Sequence, residues 1–93
     1  MIKSFKCAET EKIFNLRFSR KLPESIQEAA LRKLKYLHAA ADLQDLRVPP
    51  SNHLEALKGN RKGQYSIRIN QQWRICFKWN DGTAQEVEIA DYH

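Results

Sequence analysis

The adjacent prolines Pro49 and Pro50 divide the chain into halves with different apolar periods. Two neighbouring pyrrolidine rings lock two φ angles and withhold two backbone donors, so neither a helix interior nor a central strand runs through them. Before them, Ile26, Ala30, Leu34, Leu37 and Ala41 recur at steps of four, four, three and four, the stripe of an amphipathic helix. Pro23 suits its first turn and the spacing carries it to near Asp42, with Arg32, Lys33 and Lys35 off the stripe. After them the period is two. Tyr65, Ile67 and Ile69 alternate with polar residues, as do Trp73, Ile75, Phe77 and Trp79, and Asn80-Asp81-Gly82 is a hairpin turn leading to Val87 and Ile89.

The remaining segments are placed around this frame. Leu46 to Asn52 reads as a loop, Leu54 to Leu57 as a short strand and Gly59 to Gly63 as a polar turn. Thr10 is positioned to cap an earlier helix carrying Ile13, Phe14 and Phe18 and ending in Arg17, Arg20 and Lys21. Met1 to Lys6 reads as a strand added at an edge. The expected class is α+β: two N-terminal helices packed on an antiparallel, partly meandering sheet. The 93 residues suffice for a single domain, residues 1–93, with one modest core.

Charge narrows the partners. The net charge is +5, and from Lys58 to Lys78 six basic residues (Lys58, Arg61, Lys62, Arg68, Arg74 and Lys78) occur without one carboxylate. A local positive field of this kind suits phosphate. No apolar run approaches a membrane span, no signal-peptide pattern opens the chain, and Cys7 and Cys76 read as free thiols, so a cytoplasmic protein is expected. The scattered Cys and His residues make no metal site, and no glycine-rich phosphate loop or Gly-x-Ser-x-Gly element is present; no cofactor is expected.

RNA cleaves at its own 2′-hydroxyl when a base, an acid and cations on the phosphate are held in place. Strand parity points Arg68, Arg74 and Lys78 away from Tyr65, Ile67, Trp73, Ile75 and Phe77, onto a solvent-facing surface; the same parity brings Tyr92 to their side, provided no bulge intervenes. Lys58, Arg68 and Arg74 fit a phosphate clamp and equally a solvated polar face. His93 has the proton affinity for transfer at neutral pH and equally the place of an exposed chain end. His53, beside the prolines, and His38, on the long helix, carry no chemistry by themselves. Residue by residue, the reading stops at a basic α+β domain that meets nucleic acid.

Four elements in order carry a more specific likeness: Leu57-Lys58-Gly59-Asn60-Arg61, Tyr65-Ser66-Ile67-Arg68-Ile69, Trp73-Arg74-Ile75-Cys76-Phe77 and Asp91-Tyr92-His93. Together with Met1-Ile2-Lys3-Ser4-Phe5 they make the chain resemble the HigB toxins of the RelE/ParE superfamily. The resemblance implies the RelE-like fold and a metal-independent endonuclease that cuts messenger RNA in the ribosomal A site. It implies a HigA-like antitoxin with a helix-turn-helix domain, through which the pair reaches operator DNA. It assigns Lys58 and Arg74 to the scissile phosphate, His93 to acid–base work, Tyr92 to orienting or stacking the RNA, and Asp91 to supporting the site. Arg68, Arg61, Lys62, Lys78 and His53 are added as RNA-binding residues, Arg68 from strand parity, and Arg17 to Lys21 is read as a docking segment for ribosomal RNA. One position departs from the pattern. Where some members have His-Pro-Leu-Lys-Gly, this chain has Glu55-Ala56-Leu57-Lys58-Gly59. Glu55 then serves as a base or bridges to a neighbouring arginine, and His53, two positions away on the same side of a strand, is the substitute. Two alternatives stand beside this reading: a ParE-like gyrase poison, and a non-catalytic RNA- or ribosome-binding growth inhibitor. A basic module for an acidic protein is compatible with any of them.

Overall fold

The structure is a computed structural model in which residues 1–91 are described. Its backbone follows the two apolar periods. Helix α1 spans Ala8–Phe14 and helix α2 spans Glu24–Ala39, with Pro23 as the residue before the first turn. The meander consists of β1 (Glu55–Ala56), β2 (Tyr65–Arg68), β3 (Trp73–Asn80) and β4 (Thr83–Asp91), hydrogen-bonded in that order and antiparallel throughout. Residues 1–6 add two parallel bridges to the outer edge, Ile2 to Ala84 and Phe5 to Val87. Leu34, Leu37 and Ala30 of α2 pack on Ile67, Ile75, Phe77, Val87 and Ile89 of the sheet, all buried. That layer of helix on sheet is the arrangement the two periods require.

Several elements differ from the sequence expectation for identifiable reasons. Helix α1 ends at Phe14 because Leu16 adopts a left-handed φ of 64°, so Phe18 lies beyond it and is 60% exposed. Thr10 is inside the helix rather than capping it, and its buried Oγ1 accepts the Ile89 amide at 2.9 Å, tying α1 to β4. The α2 helix stops at Ala39, three residues before the Asp42 expected from its spacing, because Ala40 takes an extended backbone. The segment read as a loop contains two 3-10 turns, Leu43–Arg47 and Pro50–Asn52, the first closed by a reciprocal cap between Asp42 and Asp45. Another 3-10 turn, Gly59–Arg61, follows β1.

A bulge sits in the outer strand pair. Cys76 pairs with Glu88 and Lys78 with Gln85, so two steps along β3 match three along β4, and Glu86 takes φ 51°. The extra residue resets the alternation, which is why Ala84, Val87 and Ile89 can all be buried. Beyond it, Ala90 opposes Arg74 and Asp91 opposes Trp73, so parity is intact at that end of the sheet. The expectation for Tyr92 lies outside the described residues. At the other end, Asp81 and Gly82 both have positive φ, as the tight hairpin requires. Cys7 and Cys76 are free thiols, as expected.

Lys33 was placed off the helical stripe, yet it is buried with 6% exposure. Its Nζ donates to Asn52 Oδ1 at 2.6 Å and to Ser51 Oγ at 3.3 Å. Asn52, wholly buried, donates in turn to the Leu46 and Val48 carbonyls. The proline segment is thus stapled to α2 through one ammonium. Burial, and then the Arg32 charge, hold the Lys33 pKa below the usual lysine value. Between the folded and the unfolded pKa the unfolded chain binds more protons, so this group's penalty diminishes as pH rises through that window. Lys33→Met removes the ammonium but orphans Asn52 Oδ1. The variant should lose about 1–3 kcal/mol at neutral pH, and the loss should grow as pH climbs toward the ordinary lysine range. Urea denaturation of both proteins at neutral and alkaline pH measures it; a loss that shrinks with rising pH contradicts the assignment.

Candidate functional site

The inner end of the sheet gathers most of the proposed site residues. Arg68 on β2 and Arg74 on β3 are direct cross-strand partners. Like charges facing each other across an antiparallel ladder are destabilising, so their side chains need separate anchors. Arg68 donates from Nε to the Asn70 carbonyl at 3.1 Å and remains half-buried.

Arg74 is not the solvent-facing group expected from strand alternation. It is 8% exposed, because the end of the proline segment and β1 cover it. Its Nε donates to Ser66 Oγ at 2.6 Å, its terminal nitrogen to the His53 carbonyl at 2.6 Å, and the same nitrogen lies 3.7 Å from Glu55 Oε2. Ser66, itself buried, pairs directly with Glu55 on one side and with Cys76, two residues along β3 from Arg74, on the other. The guanidinium is therefore held in a fixed plane, which is what bidentate phosphate recognition requires. Of the two roles open to Glu55, the geometry shows the bridge to an arginine.

His53 is not on a strand with Glu55. It ends the Pro50–Asn52 turn with φ 45°, ahead of β1, and contributes its carbonyl to Arg74 while the side chain is exposed. Lys58 is exposed at the start of the Gly59–Arg61 turn and lines an open cavity of about 320 Å³ with Glu55, Ala56 and Leu57. Glu55 thus connects Lys58's cavity to Arg74.

The other basic residues are dispersed. Arg61 turns toward Glu88 and Gln64, at 3.4 and 3.2 Å, and Lys6 reaches the same Glu88 carboxylate at 3.4 Å. Lys62 is exposed. Lys78 shares β3 with Arg74 but lies four residues away, about 13 Å along a strand, and pairs with Glu86 at 2.7 Å. That hydrogen bond is the main reason the Glu86 carboxyl lies below the usual range. The single surface expected for Arg68, Arg74 and Lys78 is thus a pair plus a distant residue.

Asp91 closes β4 opposite Trp73 and accepts from Gln72 Nε2 at 3.1 Å. Tyr92 and His93, the two remaining residues of the expected catalytic tail, lie outside the described residues. Cys76 shares the ladder but is buried, and burial pushes its thiol up, so it is no thiolate nucleophile. Among the described residues no group of three His, Cys, Asp or Glu side chains could hold a metal, and no helix is long and apolar enough to cross a membrane. The sequence reading missed Ser66, which anchors Arg74; a small polar residue in an otherwise buried strand, opposite the arginine's ladder neighbour, was the available signal.

Comparison with known proteins identifies the family and the fold. Residues 3–93 match the family described as the RelE-like toxin of type II toxin-antitoxin system HigB. Over 65 residues the chain is 52% identical to Toxin HigB-1 of Vibrio cholerae, covering 70% of this chain and 68% of that one. It is 30% identical to Endoribonuclease HigB of Proteus vulgaris over 93 residues, all of both chains. The fold is similar to a chain of the YoeB-YefM complex from Staphylococcus aureus, with a TM-score of 0.57 and 19% identity over 100% of this chain and 98% of that one. By sequence over nearly its whole length, this chain belongs to the HigB-like family of RelE-like toxins, the toxin components of type II toxin–antitoxin systems.

Proposed function

We propose that this toxin is a ribosome-dependent messenger RNA endonuclease acting in the A site without a metal. The observation that supports this most is the immobilised Arg74 guanidinium, fixed by Ser66 Oγ and the His53 carbonyl beneath the proline segment. The name of the full-length relative, an endoribonuclease, points the same way.

In the reaction, a base takes the proton of the ribose 2′-hydroxyl, and the alkoxide attacks the adjacent phosphorus in line. The P–O5′ bond breaks, and the departing 5′-oxygen takes a proton. A 2′,3′-cyclic phosphate and a 5′-hydroxyl end result. Arg74 and Lys58 stabilise the extra negative charge on the pentacoordinate phosphate, where fixed cations act more strongly than in the ground state. Glu55 positions Arg74. His93 performs the proton transfer, Tyr92 orients or stacks the RNA, and Asp91 supports that end of the site. Arg68, Arg61, Lys62, His53 and Lys78 contribute to holding the strand, Lys78 from the far side of the sheet.

Its antitoxin partner, in this reading, is a HigA-like helix-turn-helix protein through which the pair contacts operator DNA, and the ribosomal target places the toxin in the cytoplasm. The test is cleavage of a defined message, free and on programmed ribosomes, by wild type and His93→Ala. Cutting should require ribosomes and fall by about 10²–10⁴-fold in the variant, the usual contribution of general acid–base catalysis. Growth inhibition that survives His93→Ala would instead support a binder. Arrest of DNA replication before translation would indicate a gyrase poison.

A further inference from the structure

Helix α2, the proline segment and the β2–β3 connection border a second open cavity, of about 390 Å³. Arg32, Lys33, His53 and Arg68 line it, with Ser51 and Asn70 supplying neutral hydrogen-bonding groups and no carboxylate among the lining residues. Lys33 ties the proline segment to α2 and Arg68 bonds the Asn70 carbonyl, but these neutral partners leave the gathered positive charge uncompensated. The cavity lies at the surface, with Arg32, Ser51, His53, Asn70 and Gln71 exposed, and converging cations there repel one another.

Lys33 is the most informative member. Its ammonium is nearly excluded from water and held by two neutral oxygens, Asn52 Oδ1 and Ser51 Oγ, and no described carboxylate is within ion-pair distance. A desolvated charge without a counter-ion is costly, and an anion entering the cavity offsets that cost. The depressed Lys33 pKa, caused first by burial and then by Arg32, is in keeping with this. Arg32 lies on the exposed rim and supplies a planar fork.

Two residues join the cavity to the site already described. Arg68 lines it and is Arg74's cross-strand partner; His53 lines it and accepts, at its carbonyl oxygen, a hydrogen bond from the Arg74 guanidinium. The cavity therefore shares Arg68 and His53 with the surroundings of Arg74.

We propose that this cavity is a phosphate subsite for the substrate RNA, taking a phosphodiester adjacent to the scissile one on Arg32, Lys33 and Arg68. The proposal rests on the endonuclease reading for the identity of the strand, and two measurements separate their failures. The first uses the free protein and a non-cleavable deoxytrinucleotide, followed by amide chemical shifts. Shifts should centre on Ser51, His53 and Asn70 and require about tenfold more ligand in Arg32→Gln, the loss of one charge-assisted contact. Arg32 is exposed, so this variant keeps the fold. The second uses programmed ribosomes and messages with a single uncharged methylphosphonate linkage at successive positions around the cut. Wild type should lose about tenfold in cleavage rate at one flanking linkage, and Arg32→Gln, already slow on the unmodified message, should lose nothing further there. A titration unchanged by Arg32→Gln overturns the subsite whatever the cleavage assay gives. Equal losses for both proteins at every linkage also overturn it, and place the cavity's charge against ribosomal RNA or nothing. Absence of cutting by wild type sinks the endonuclease reading and leaves the trinucleotide titration to decide the subsite alone.

Discussion

Replacing Arg74 with alanine should lower the rate of message cleavage on ribosomes by about 10²–10³-fold, the cost of removing one fixed donor to developing transition-state charge. Binding of the message is shared with Lys58 and the other cations, so the loss should appear mainly in the single-turnover rate at saturating ribosomes. The substitution also leaves buried Ser66 Oγ without the Arg74 Nε donor and Glu55 without its ion pair. Thermal unfolding must therefore accompany the assay. Arg74→Lys discriminates further. A lysine keeps the charge but cannot reach Ser66 and the His53 carbonyl with a planar fork. It should recover only part of the rate. Full activity of Arg74→Lys would show that charge alone matters and that the anchoring by Ser66 and His53 is incidental. Full activity of Arg74→Ala would remove the phosphate clamp altogether.

The second large effect is on stability. Phe77 is fully buried, with its ring 6.2 Å from Tyr65 and 6.4 Å from Trp79, opposite the bulge where β4 carries its extra residue. Phe77→Ala should destabilise the protein by about 3–5 kcal/mol, the transfer and cavity cost for a buried aromatic ring. In a domain of this length each kcal/mol moves Tm by about 4–8 °C, so the melting temperature should fall by more than about 12 °C. Phe77→Leu, which refills much of the volume, should restore more than half of the loss. A drop of only a few degrees in Phe77→Ala would mean that Tyr65 and Trp79 collapse into the space, and that this end of the core is less constrained than its burial implies.

Much of the fold is legible in local spacing. The stripe from Ile26 to Leu37 becomes α2, the alternations around Ile67 and Ile75 become β2 and β3, and Asn80-Asp81-Gly82 becomes the hairpin. These are decided over a few residues, because apolar periodicity selects between helix and strand before any distant partner is met. The prolines end one regime and begin the other for the same local reason. The order of short motifs also singles out Arg74 and Lys58, with Glu55 as a departure, and their roles remain those of the proposed function.

What tertiary structure alone decided is how those residues are held. Strand parity correctly puts Arg68 and Arg74 on one face but says nothing about what covers that face; the His53 carbonyl reaches Arg74 from 21 residues away in sequence, through a turn whose left-handed residue no periodicity announces. Lys33 looked like a solvated helix residue until the proline segment folded over it, 19 residues on, and Thr10 looked like a cap until β4 arrived to use its hydroxyl. Lys78 shares β3 with Arg74 but pairs with Glu86 across the hairpin, at the other end of the strand. In each instance a polar group finds its partner only when elements distant in the chain come together and exclude water. A pattern read along the sequence specifies which face a side chain takes, and burial against another segment specifies whether that side chain is solvated, anchored or poised for an anion.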